Sequence, residues 1–143
     1  MFHKVKSVTP LLDYVLLVHF ADGCAKKYDV KPLLSKFASF NQLAEHGMFV
    51  GVSVDVGGYG VSWNDDVDLS GDELWEHGVS ISTPFDSLIA FSDATDMWGL
   101  HESTLRKAVA HRKLVDGVDV KKFGKQWVVT KSAMEREYGH PKQ

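Results

Sequence analysis

A single cysteine in 143 residues rules out any disulfide within the chain. Cys24 lies between a turn and a strand, so it reads as a small packed side chain in a reducing compartment, not as a nucleophile. Long apolar runs are missing too: the longest, Tyr14 to Ala21, is far short of a membrane span. No hydrophobic stretch with a cleavage site opens the chain. These absences predict a cytoplasmic protein with no membrane partner. There is no Gly-rich phosphate loop after a strand, no Ser at a nucleophile elbow and no paired Cys/His. His101 and His111 lack ligand-spaced partners for a metal. The expectation is a protein that is not an enzyme and that needs no cofactor and no metal.

What is present fits a globular chain of one ordinary domain or two small ones, with 44% hydrophobic and 24% charged residues. Charge is uneven. Residues 1–82 hold six lysines against eleven acids, whereas 83–143 hold ten Lys/Arg against eight. Such asymmetry predicts two units with different partners, the acidic one being a poor binder of nucleic acid.

The first half has strand patterning. Val5 and Val8 begin a strand that stops at Pro10, and Tyr14–Phe20 runs through Ala21-Asp22-Gly23 into Cys24–Tyr28, a strong hairpin signal. A short helix is expected over Val30–Phe37, with Pro32 in its first turn, and another helical turn over Phe40–His46. Period-two alternation predicts a strand from Phe49 to Val56, which Gly57-Gly58 turns into Tyr59–Trp63. Asp66 to Gly71 imitates the opening of a calcium loop, but His77 stands where a bidentate Glu is required. Ser70 with Glu73 reads better as a capping box opening a short helix through Trp75. The Ser, Thr and Pro over 79–88 suggest a linker. The fold class is therefore α+β: a small antiparallel-sheet domain over 1–78, a linker over 79–88, and a second domain over 89–143.

In that second domain Ser92 is placed as the cap of a helix Asp93–Trp98, and Gly99 supplies a sharp turn. A second helix from Glu102 to about Arg112 puts Leu105, Ala108 and Val109 on one face against Ala94 and Trp98. His101, Glu102, Ser103, Arg106 and Lys107 are left outward. Lys113–Val120 followed by Lys121–Val129 reads as a two-stranded wing turning at Phe123-Gly124-Lys125, its tip at 121–125, with Val118, Val120, Trp127 and Val129 inward and Lys121, Lys122 and Lys125 in solvent. Thr130 caps a last helix to Tyr138. From Arg106 to Lys131 there are eight Lys/Arg and only Asp116 and Asp119 against them. A helix-turn-helix places its second helix in the major groove, where Arg106 suits guanine and Ser103 and Thr104 suit bases or phosphates. The wing lysines suit the backbone. Candidate DNA-binding residues are thus His101, Ser103, Thr104, Arg106, Lys107, Arg112, Lys121, Lys122 and Lys125, and the partner is double-stranded DNA.

Residues 89–139 resemble the compact winged helix-turn-helix modules of the excisionase and MerR type, through Ser92-Asp-Ala-Thr-Asp-Met-Trp-Gly-Leu100, Ser103-Thr-Leu-Arg-Lys-Ala108 and Lys122-Phe-Gly-Lys-Gln-Trp-Val-Val-Thr130. The resemblance implies that helix and wing grip adjacent grooves through Arg106, Lys107 and Lys121 to Lys125. Residues 1–78 resemble a small bacterial family of domains of unknown function, through Phe20-Ala-Asp-Gly23, Tyr28-Asp-Val-Lys-Pro-Leu-Leu34 and Asp55-Val-Gly-Gly-Tyr-Gly-Val-Ser-Trp-Asn-Asp65. Members of that family often lie near toxin–antitoxin-like gene pairs, and some are fused to helix-turn-helix domains. Two functions follow as expectations: a DNA-binding transcriptional regulator, or an antitoxin-like adaptor holding a toxin-like protein through its N-terminal domain. A homodimer is compatible with either.

Overall fold

The computed structural model describes residues 2–142. Two compact units divide the chain, Met1–Pro84 and Phe85–Gln143. The first runs β1 (Val5–Pro10), β2 (Val15–Phe20), β3 (Ala25–Asp29), α1 (Lys31–Lys36), β4 (Ser53–Val54), β5 (Gly60–Asn64), β6 (Val67–Ser70), α2 (Gly71–His77) and β7 (Val79–Ile81). One antiparallel sheet has the order β1-β2-β3-β7, and a second has β4-β5-β6. Along β2 the alternate residues Leu16, Val18 and Phe20 are buried, as a strand with one face on a core requires. They pack with Tyr28, Leu43, Val61, Leu69 and Leu74 in a core fed by both sheets and both helices.

Two expectations fail in this unit, and one strand goes beyond them. Residues 49–56 are not one strand: Phe49–Gly51 is a 3-10 turn and only Ser53–Val54 pairs with β5. The indole N–H of Trp63 donates to the Phe49 carbonyl at 2.7 Å, which diverts that carbonyl from any ladder. The strand β6 is masked in the sequence by the acids around it, yet Val67 and Leu69 are buried while Asp68 and Ser70 are exposed. Asn64 Oδ1 accepts from the Asp66 and Val67 amides at 2.8 and 3.1 Å and folds the turn that leads into it. Finally, only half of the capping box forms. Ser70 Oγ accepts from the Glu73 amide at 3.1 Å. The Glu73 carboxylate turns away to accept from the Tyr28 hydroxyl at 2.7 Å and to pair with His77 Nδ1 at 3.2 Å.

The 79–88 segment is strand at both ends. Residues 79–81 extend the first sheet, pairing Val79 with Lys27 and Ile81 with Ala25. Leu88 already belongs to the second unit, where it pairs with Thr130. That unit runs β8 (Leu88–Ala90), α3 (Phe91–Trp98), α4 (Glu102–Ala110), β9 (Val120–Phe123), β10 (Gln126–Thr130) and α5 (Lys131–Tyr138). Its sheet has the order β8-β10-β9. Ile89, Phe91, Trp98, Leu105, Leu114, Val129 and Met134 fill its core. Ser92 does not cap α3: β8 passes straight into the helix at Phe91, whose buried ring stacks on Trp127 with centroids 5.7 Å apart. Thr130 does cap α5, its side chain accepting from the Ala133 amide at 3.2 Å.

Candidate nucleic-acid interface

The pair α3–α4 turns within three residues. Gly99 adopts φ 64 and ψ 39, the left-handed conformation that costs other residues about 1–2 kcal/mol. This redirects the chain so that the amides of Gly99 and Leu100 both donate to the Thr95 carbonyl, the second at 3.0 Å. Small Ala94 and Ala108, with Trp98 and Leu105, are buried where the two helices meet. The opposite face of α4 is open: His101, Glu102, Ser103, Arg106 and Lys107 are exposed and Thr104 is half-buried. No side chain caps the helix, so its positive end faces outward at Glu102 and Ser103. Arg106 Nη2 lies 3.2 Å from Glu102 Oε2 in an exposed pair one helical turn apart.

The helix is shorter than expected. It ends at Ala110, and Arg112 lies beyond it with φ 62. The Arg112 amide donates to the Val109 carbonyl at 3.1 Å and that of Lys113 to Ala108 at 2.9 Å, the paired closure of a Schellman motif. An arginine therefore occupies a position that usually belongs to glycine. The turn brings Leu114 into the core, which explains why the chain accepts it.

The wing forms as a hairpin of β9 and β10, with Phe123 paired to Gln126 around a two-residue turn, Gly124-Lys125. Gly124 carries φ 61, as the first central residue of the tightest hairpin turns requires. Register separates the lysines. Lys122 is opposite Trp127 and shares the face of buried Val120 and Val129, its Nζ lying 6.0 Å from the Trp127 ring centre. Lys121 shares the other face with Phe123, with Nζ 5.8 Å from that ring. Lys125 sits in the turn. All three are exposed, but they surround the hairpin tip and do not line one side of it. Val118, expected inward, is 72% exposed because Asp119 is the residue that turns in.

Asp119 is buried, and it removes one of the two acids set against the basic segment. Arg136 of α5 donates to both of its oxygens, at 3.2 and 2.9 Å, and the Val115 amide adds a bond of 2.9 Å. The guanidinium and then that amide hold the carboxyl below its ordinary value. Nothing in the spacing of the sequence marks Arg136 as a partner of Asp119. Nor does it single out Lys113, whose Nζ lies 4.7 Å from the Tyr138 ring centre. Among the described residues, none of Lys107, Arg112, Lys121, Lys122 and Lys125 is paired with a carboxylate. These cations carry uncompensated charge, which is what phosphate binding needs. Among the described residues no three His, Cys, Asp or Glu side chains gather as a metal site, and no helix is long and apolar enough to cross a membrane.

A family model described as a protein of unknown function (DUF2442) matches residues 5–80, more than half of the chain. The chain belongs to the DUF2442 family. A second model, a helix-turn-helix domain, matches residues 81–143, so this DUF2442 protein carries a helix-turn-helix domain in the unit that holds α3 and α4. The fused architecture expected from the residues is the one found. Among solved structures, the DUF2442 chain is similar to the crystal structure of the candidate DNA-binding protein NE0471 from Nitrosomonas europaea. Identity is 16%, 80% of each chain is covered, and the TM-score is 0.47. Among curated proteins none matches at a significant level.

Proposed function

We propose that this protein is a DNA-binding transcriptional regulator that lays α4 in the major groove and sets the β9–β10 hairpin against the adjacent backbone. The observation that carries the reading is the pairing of a solvent-facing helix-turn-helix, with Ser103, Arg106 and Lys107 outward, with a hairpin whose lysines have no carboxylate partners among the described residues. In this reading Arg106 meets a base edge once it leaves Glu102. That exposed pair is worth only about 0.3–0.5 kcal/mol, less than a bidentate guanine contact returns. His101, Ser103 and Thr104 stand at the end of α4 that enters the groove in this geometry, while Lys107, Arg112, Lys121, Lys122 and Lys125 serve phosphates. Selection of tight-binding duplexes from a random pool, followed by mobility shift at low salt, tests it. Enrichment of a sequence that Arg106→Ala no longer prefers supports the reading; failure to retain any duplex defeats it.

A second role for the acidic N-terminal unit rests on its surface. Leu12 is 92% exposed at the rim of a groove of about 390 Å³ that Val50 and Tyr14 also line. Large apolar side chains left in water at a concave site suit a protein partner, either a toxin-like protein or a second copy of this chain. Stoichiometric co-purification from the native host, lost with Leu12→Asp, is the result expected.

A further inference from the structure

The hairpin tip holds a side chain that phosphate binding does not explain. Phe123 is 56% exposed, is the last residue of β9, and stands immediately before the Gly124-Lys125 turn. Exposed apolar residues scattered singly need no account. This one is at an apex, with Lys121 on its own face, Lys122 on the other and Lys125 in the turn. A ring held in water among three cations fits a polyanion that also offers an apolar slot. Double-stranded DNA is such a partner, because its stacked base steps lie between two rows of phosphate.

We infer that Phe123 is a wedge that enters the minor groove and opens a base step, kinking the duplex, while Lys121, Lys122 and Lys125 hold the flanking phosphates. The inference rests on the DNA-binding reading above and deepens it. Size supports the assignment. The minor groove is about 6 Å wide, and a two-residue turn leaves one ring projecting at the apex, so that ring can enter while the two strands stay outside at the phosphates. Aromatic and aliphatic wedges placed this way unstack a step and bend DNA by roughly 20–90°. The favoured target is a flexible pyrimidine–purine step, so Phe123 contributes preference through deformability, without any hydrogen bond to a base.

The test uses the full chain and a duplex of about 30 base pairs, A·T-rich, with a central TA step, 2-aminopurine beside that step and a fluorophore at each end. Wild type is expected to raise energy transfer between the ends and to brighten 2-aminopurine severalfold. Phe123→Ala should abolish both signals while weakening binding by only roughly three- to tenfold, and Phe123→Leu should restore most of each. Lys122→Ala should do the reverse, lowering affinity at low salt while the bound complex stays bent. Wild type bound with unchanged transfer and dark 2-aminopurine overturns the wedge alone, as does a Phe123→Ala complex that bends fully. A Phe123→Ala chain that changes its oligomeric state and leaves the bend unaltered also overturns it, assigning the ring to a second copy. No binding by wild type, to this duplex or to selected ones, overturns the DNA-binding reading and the wedge together.

Discussion

Arg136 reaches from α5 to Asp119 and grips both carboxylate oxygens, at 3.2 and 2.9 Å, so the last helix holds the loop that launches the wing. Asp119 also accepts from the Val115 amide at 2.9 Å, which closes the loop on itself. A charge that sequence counts as opposing DNA is in fact spent inside the fold.

Asp119→Asn should destabilise the second unit by about 1.5–3 kcal/mol, toward the lower figure because Arg136 is half-exposed. The folded carboxyl titrates below its ordinary value of 3.8, so its stabilisation is complete above that value and is lost as pH falls through the lower, folded pKa. Thermal melts from about pH 2 to pH 7 should show wild type losing its advantage over Asp119→Asn below about pH 4. Parallel curves for the two proteins would contradict the clamp.

Glu102 restrains Arg106 and also places a carboxylate where phosphate is to approach. Glu102→Ala should therefore tighten binding to unselected duplex at low salt, by roughly three- to tenfold. Arg106→Ala should cost about 1–3 kcal/mol on a selected site and little on an unselected one. Competition binding with the two duplexes reads both effects. Equal losses on both would demote Arg106 to a phosphate contact.

Lys122 and Lys125 act without base contacts in this reading. Replacing either with Ala should weaken binding evenly across sequences and lower the slope of log K against log salt by about one unit. A variant with full slope and altered sequence preference would show that the lysine meets a base.

Two turns close helices in the left-handed conformation, one with glycine and one without. Gly99→Ala should cost about 1 kcal/mol, since a Cβ there meets only Lys142 Cδ at 3.5 Å and the penalty is the backbone's own. Arg112→Gly should recover up to about 1 kcal/mol, or about 4–8 °C in a unit of this size. Its DNA affinity should fall even as its melting point rises, if Arg112 meets phosphate. Calorimetry paired with mobility shift separates the two effects.

Legibility followed locality. Gly99, Thr130 and the Asp22-Gly23 and Gly124-Lys125 turns were readable because each is fixed by neighbours in sequence. The helix-turn-helix was readable for the same reason: α3, its turn and α4 span twenty consecutive residues. What escaped was set at a distance. The 49–56 stretch alternates well enough for a strand, yet its first carbonyl is claimed by Trp63, fourteen residues on. The Ser70–Glu73 spacing offers Glu73 as a cap partner, but Tyr28, forty-five residues earlier, takes its carboxylate. At the candidate interface, α4's outward face was visible in its 3.6 period. The parting of Lys121 from Lys122 to opposite faces follows from register, which a run of basic residues hides.

β8 delivers the chain into α3 and also pairs with β10, through Ile89 opposite Val129 and Ala90 opposite Val128. The α3–α4 pair and the hairpin consequently hang from one plate, like the fixed jaws of a gauge. If α4 and the hairpin meet adjacent grooves as proposed, that shared plate sets the distance between them, and duplexes would be sorted by groove spacing as well as by base edges.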